Sequence, residues 1–169
     1  MLVKQISEIK VVESKGIVLI LVGAFSFLLP FFVSGPQILL GSLVNGLIIY
    51  CAFNYSFSSC FSVLMFSSLG ALSRGVLFGQ STYFLFYFAP FIWVGNYLLF
   101  KVVGEVKLNY WMRVLLASSV KAGFLYITAM VFFKMGVVPK MFLESMGFSQ
   151  FMTAGLGGIG CYLFFKKNG

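Results

Sequence analysis

The chain has 169 residues, of which 60% are hydrophobic and 9% are charged, and its mean hydropathy is +1.02. A soluble domain carries about a quarter charged residues, so this composition excludes a water-soluble globular protein and predicts an all-α integral membrane protein. The net charge is +8, and the sequence contains neither His nor Asp. These absences argue against His-based metal sites and Ser-His or Cys-His nucleophiles. We therefore expect no enzyme, no metal and no cofactor.

The order of charged and apolar segments predicts six transmembrane helices in one domain covering residues 1–169. Residues 16–73 form an uncharged run of 58 positions, which fits three spans at about 20 residues each. The pair Arg74-Gly75 predicts the end of the third helix, and Pro90 predicts a kink in the fourth. The segment 101–113 is polar and predicts a loop. The expected helices cover about 16–33, 37–54, 57–73, 76–100, 112–133 and 146–165.

The distribution of Lys and Arg predicts the orientation of this bundle. With six spans, one side carries both termini and eight basic residues: Lys4, Lys10, Lys15, Lys101, Lys107, Arg113, Lys166 and Lys167. The other side carries three, namely Arg74, Lys134 and Lys140. Because basic loops stay in the cytoplasm, both termini are expected there, in a multi-pass protein of the cell membrane.

The segment before the first span leaves two interpretations open. Leu2, Ile6 and Ile9 have helical spacing, which fits an interfacial helix leading into helix 1. A solvated tail is the other interpretation. No cleavage motif follows within range, so a signal peptide is not expected.

Polar side chains inside the predicted spans indicate a binding site. Such groups are costly in a membrane and tend to face the bundle interior or a cavity. On the predicted topology they converge on a cavity that opens outward. The candidate substrate-binding residues are Gln37 and Asn45 on helix 2, Arg74 at the end of helix 3, Gln80, Tyr83 and Tyr87 on helix 4, and Lys121 on helix 5. Interhelical hydrogen bonding alone is the alternative for each amide.

The two cations Arg74 and Lys121 are the most informative of these residues. Both are flanked by apolar sequence, and the only acids are Glu8, Glu13, Glu105 and Glu144. A cation at membrane depth needs a partner, which an anionic ligand, backbone carbonyls or a folded-over Glu144 would supply. The remaining alternatives are an interfacial position for Arg74 and snorkelling of Lys121 to the cytoplasmic headgroups.

Small residues on helix 6 predict close helix packing. Ala154 and Gly158 are four residues apart within a glycine-rich stretch, which lets neighbouring backbones approach. We expect this packing to lie within the bundle, and docking of another membrane protein is the alternative.

In format the chain resembles the substrate-binding S components of energy-coupling factor (ECF) micronutrient importers. The resemblance covers most of the chain and rests on its length, six helices with both ends inside, and a bent helix 4. The segments that carry it are Leu28-Leu29-Pro30, Ser34-Gly35-Pro36-Gln37 and Ser68-Leu69-Gly70-Ala71. It implies a ligand pocket near the outer surface. It also implies docking through helix 1 to a membrane scaffold subunit that couples to two cytoplasmic ATPases.

Four functions remain open on the sequence. The first is capture of a small anionic or zwitterionic micronutrient, with Arg74 holding the charged group, the amides hydrogen-bonding and Tyr83 and Tyr87 stacking. The second is a structural or assembly subunit of a larger membrane complex without a small ligand. A stand-alone carrier and an enzyme rank below both. The expected partners are the substrate, the lipid bilayer and those importer subunits, and no nucleic acid.

Overall fold

A computed structural model of the chain describes residues 2–33, 36–78 and 83–168, with side-chain surroundings for 15–33, 36–76 and 84–164. Within these ranges the protein is helical, without strands. The helices are α1 Leu2–Phe32, α2 Gln37–Asn54, α3 Phe57–Phe78, α4 Tyr83–Glu105, α5 Tyr110–Lys134, α6 Met141–Met146 and α7 Phe148–Asn168.

The predicted long helices are present, and their boundaries differ at informative places. Helix α1 runs unbroken from Leu2, so the segment before the first span is helical. Helix α3 passes through Gly75, which is buried, and continues beyond the predicted end at residue 73. A glycine in a helix costs about 1 kcal/mol, and tertiary packing routinely overrides such a propensity. The short helix α6 between α5 and α7 was not predicted.

The connection between α4 and α5 is shorter than the predicted loop. Helix α4 continues to Glu105, where Lys101 Nζ lies 2.5 Å from Glu105 Oε1, one helical turn away. Asn109 caps α5 by accepting a hydrogen bond from the Met112 backbone N–H at 2.9 Å. An oppositely charged pair one helical turn apart and an N-terminal cap both stabilise helix ends. A boundary predicted from the positions of charged residues alone therefore ended α4 too early and began α5 too late.

Five helices, α1 to α5, are long and apolar enough to cross a membrane among the residues described. Much of their apolar surface is exposed on the outside of the bundle, as Ile20 and Phe32 illustrate with 73% and 71% exposure. Contiguous exposed apolar surface on this scale marks a protein that meets lipid or other protein. The fold is typical of a multi-pass membrane protein.

Helix pairs pack closely where one of them carries a small residue. Helix α1 packs on α3, α2 on α7 and α4 on α5. A Cβ added at Gly157 of α7 would lie 2.6 Å from the Gly46 nitrogen of α2, and one at Gly70 of α3 would collide with the Phe27 carbonyl of α1. The sixth predicted helix corresponds to α7. Its Gly157 packs against α2 and its Gly158 against Val114 of α5, which confirms the prediction that this helix packs within the bundle.

An apolar core fills the end of the bundle where α2 and α4 finish. Ile48, Ile49, Leu99 and Val103 are fully buried in it. At the opposite end, where α1 and α3 finish and α2 and α7 begin, the helices enclose a cavity. The core therefore closes the cavity from below.

Candidate functional site

The cavity has a volume of about 380 Å³ and is lined by α1 to α7. This size lies within the range of small-molecule sites, which is roughly 300–1,000 Å³. Its walls are mixed, with apolar side chains between a small set of polar ones. No acidic residue is found among the described lining residues, and the polar ones are Gln37, Asn45, Ser67, Ser68, Arg74, Asn96, Lys121 and Gln150.

Lys121 forms the floor of the cavity. Its side chain is 2% exposed. The ammonium Nζ donates to Asn45 Oδ1 at 2.6 Å and to Asn96 Oδ1 at 2.7 Å. An ammonium has three N–H donors, so two amide oxygens leave one donor for a further acceptor. This inward position contradicts the alternative in which Lys121 snorkels to the headgroups.

Both asparagines are held in one orientation by their second hydrogen bonds. Asn45 Nδ2 donates to Thr153 Oγ1 at 3.0 Å, and that hydroxyl donates to the Gln150 carbonyl at 3.1 Å. Asn96 Nδ2 donates to the Leu64 carbonyl at 2.7 Å. Each amide nitrogen is thereby engaged elsewhere, which turns each amide oxygen toward Lys121. The network joins α2, α3, α4, α5 and α7 around one cation.

Arg74 lies on the wall of the same cavity, on the last turns of α3. Its Nε and Nη1 atoms are buried and have no hydrogen-bond partner among the described residues. A buried charged donor left unpaired costs about 1–3 kcal/mol or more. Glu144, the carboxylate that could have folded over Arg74, is exposed. The ion pair found among the described residues joins Lys101 to Glu105.

One further bond braces the wall between the two cations. Trp93 Nε1 donates to Ser68 Oγ at 2.5 Å, and Ser68 Oγ in turn donates to the Met65 carbonyl at 2.9 Å. This bond ties α4 to α3 beside the cavity. Trp93 thus has a hydrogen-bond partner inside the bundle.

The structure brings together four of the seven predicted site residues. Gln37, Asn45, Arg74 and Lys121 line one cavity. Gln80 and the side chain of Tyr83 lie outside the described residues. Tyr87 is 59% exposed, packs its ring edge-to-face with Phe86, and is not among the described lining residues.

Asn96 is a polar lining residue that was not among the predicted site residues. The predicted polar face of helix 4 was the one that carries Tyr87. Asn96 is nine residues further along, and at about 100° per residue that distance places it on the opposite face. An amide within the apolar run 84–100 was the available signal. Ser67 and Ser68 of α3 also line the cavity and were not among the predicted site residues.

A carboxylate placed beside Lys121 tests whether this cation lacks a counter-ion. We expect Asn45→Asp to raise the melting temperature of the ligand-free protein by several degrees. The new carboxylate would accept from Lys121, and the Thr153 hydroxyl can rotate to donate to it. Charge-assisted hydrogen bonds are about twice as strong as neutral ones.

The control is Asn54→Asp on the same helix, where the amide donates to the Tyr50 carbonyl and is exposed. Thermal unfolding of both variants in the same lipid provides the measurement. A fall in melting temperature for Asn45→Asp would mean that the Lys121 charge is already compensated.

Chemically, this arrangement is a cavity closed at its floor, and its charged donors belong to Arg74 and Lys121. The described residues hold no cluster of His, Cys, Asp and Glu suited to a metal ion. The three cysteines are buried as free thiols. A comparison of the chain with models of protein families, with curated proteins and with solved structures finds no match.

Proposed function

We propose that this protein is a membrane-embedded substrate-binding subunit of an importer that captures a small anionic or zwitterionic micronutrient. The observation that carries the proposal is the pair of cations in one cavity without an acidic lining residue among those described. Desolvated cations are retained inside apolar bundles chiefly where they serve a ligand, an ion path or a paired partner. Among the described residues, the partners of Lys121 are the neutral amide oxygens of Asn45 and Asn96.

The shape of the cavity supports capture rather than conduction. Below Asn45 on α2, the next turn carries Ile48 and Ile49, which are fully buried. Below Asn96 on α4, Leu99 is fully buried as well. These residues belong to the apolar core described above, which separates the floor of the cavity from the other end of the bundle. A ligand therefore enters and leaves by the same mouth unless the helices rearrange.

The orientation follows from the basic residues at the two ends of the bundle. The end opposite the cavity carries Lys101, Lys107 and Arg113, and it is the end at which α1 begins and α7 finishes. Basic segments of this kind stay on the cytoplasmic side. On this topology both termini are cytoplasmic and the mouth faces the outside of the cell.

The resemblance to S components of ECF importers extends the proposal to partners. By analogy with those S components, the chain docks through α1 to a membrane scaffold subunit, and two cytoplasmic ATPases supply the energy for uptake. Consistent with this division of labour, the sequence contains no nucleotide-binding phosphate loop of its own.

Replacing Arg74 tests the capture function. The molecule extracted with the wild-type protein is titrated into ligand-free protein in lipid nanodiscs by calorimetry. We expect Arg74→Ala to weaken binding by at least ~1.5 kcal/mol, the scale of a hydrogen bond to a charged group. That loss is roughly tenfold in Kd.

The matched control is Lys140→Ala, which removes an exposed cation near the same end of the bundle. Its affinity should equal that of the wild type. Unchanged affinity in Arg74→Ala would remove Arg74 from the site.

A second candidate is a structural subunit of a larger membrane complex. It is favoured by an apolar groove of about 450 Å³ on the outside of α1, α2 and α7, lined by side chains such as Val18, Leu43 and Leu156. This candidate predicts that the isolated chain retains no small molecule and is unstable without its partners.

A further inference from the structure

The two cations lie at different depths of the cavity. Asn96, which binds Lys121, also binds the carbonyl of Leu64 on α3. Arg74 is ten residues further along α3 than Leu64, which corresponds to about 15 Å of helix axis at the usual rise per residue. Lys121 is thus at the floor and the backbone of Arg74 is near the mouth.

Helix α2, on another wall of the cavity, gives an independent measure of the depth between the floor and the mouth. On α2, Asn45 contacts Lys121, while Gln37 lines the mouth at the first residue of the helix. These eight residues correspond to about 12 Å along the axis. Helical side chains lean toward the N-terminus of their helix, so the long side chain of Arg74 reaches back toward the floor. The two charged groups are then separated by roughly one to two helical turns, on the order of 5–10 Å.

The wall between the two cations is uncharged and mostly apolar, with Ser67 and Ser68 of α3 as its polar members. Leu40 and Val44 of α2 line it on one side, and Ala71 of α3 and Ile92 of α4 line it on others. A ligand that reaches both cations must therefore place an uncharged, largely apolar part between its charged ends.

Charge balance sets how many negative groups the ligand needs. A ligand with one negative charge neutralises one cation and leaves the other without a counter-ion in a cavity whose described lining contains no acid. Burying an uncompensated charge costs several kcal/mol. A ligand with two negative charges neutralises both.

From these four observations we propose that the substrate class of this site is an elongated dianion, with one anionic group on Lys121 at the floor and a second on Arg74 near the mouth. The inference rests on the proposed capture function and narrows it. The floor group accepts the third N–H of Lys121, and the mouth group accepts the unpaired guanidinium N–H groups.

Straight-chain dicarboxylates are suitable probes because their charge separation increases with chain length. The full-length protein in phosphatidylcholine nanodiscs is titrated with glutarate, adipate, pimelate and suberate, and with the monocarboxylates of equal carbon number. Ligands that bind the folded state raise the melting temperature with concentration, which yields an apparent Kd for each acid. We expect one dicarboxylate length to bind at least tenfold tighter than its monocarboxylate.

The variants separate the two ends of the site. In Arg74→Gln the advantage of the dicarboxylate over the monocarboxylate should disappear, while monocarboxylate binding persists. In Lys121→Met both acids should bind more weakly. Lys140→Gln, at an exposed cation, should behave as wild type. Because the Arg74→Gln result compares two acids within one variant, a general change in stability does not affect it.

Two results would overturn the inference. Equal binding of monocarboxylates and dicarboxylates that still depends on Lys121 would refute the dianion and leave the capture function standing. No binding of any dicarboxylate would also refute it, and the capture function would then be decided by the Arg74→Ala titration of the extracted molecule.

Discussion

Substitution of Lys121 by Met is expected to weaken binding of the natural ligand by about 10- to 150-fold, the equivalent of 1.5–3 kcal/mol for a charged hydrogen bond. The two side chains are of similar length, so the cavity keeps its shape and loses its floor charge. The ligand-free protein should keep its melting temperature within a few degrees. Losing the bonds to Asn45 and Asn96 destabilises it, and removing a buried charge offsets that loss.

Lys134→Met is the matched control for this experiment. Lys134 is an exposed cation in the last turn of the same helix α5, so the same chemical change is made away from the cavity. Calorimetric titration and thermal unfolding are measured on both variants. If Lys121→Met bound ligand as tightly as the wild type, Lys121 would be a structural lysine only.

A large effect on stability is expected at the crossing of α2 and α7. Gly157→Leu should lower the free energy of unfolding by at least ~3 kcal/mol, the upper range for overpacking. A Cβ at this position would meet the Gly46 nitrogen at 2.6 Å and the Ser42 carbonyl at 2.7 Å. Backbone atoms cannot move aside as a flexible side chain can, so the helices must separate.

Gly155→Leu on the same helix is the control, because an added Cβ there meets no atom within 4 Å. Both variants are compared by thermal unfolding in the same nanodiscs. Because α7 also holds Thr153, which binds Asn45, Gly157→Leu should weaken ligand binding as well. A melting temperature equal to that of Gly155→Leu would contradict the packing described here.

Helix positions were predictable where apolar length and backbone chemistry act together. The predicted bounds of the second helix, 37–54, match α2, since Pro36 precedes it and the turn at Tyr55 follows it. The predicted end of the third helix at Arg74 was wrong. Helix α3 continues through Gly75, because this glycine is buried and packing against neighbouring helices stabilises the helix there. That difference matters for function, since it places Arg74 within α3 and on the cavity wall.

The polar residues of the site could be predicted within each helix separately. The contacts between polar residues of different helices could not be predicted. Scarcity of acids marked Arg74 and Lys121 in the sequence. Which residues meet Lys121 depends on how α2, α4 and α5 are rotated about their axes, and the sequence carries no direct signal of rotation. For that reason Asn45 was predicted as a polar residue of its own helix, and Asn96, on the opposite face of α4 from Tyr87, was not.

The most direct test of the central claim is native mass spectrometry of the protein extracted gently from its own cells. The account predicts a retained small molecule that carries negative charge and that is lost in Arg74→Ala and in Lys121→Met. A retained molecule that is neutral or cationic would contradict the anion site. Co-purifying protein chains without any small molecule would contradict the capture function and favour the structural subunit.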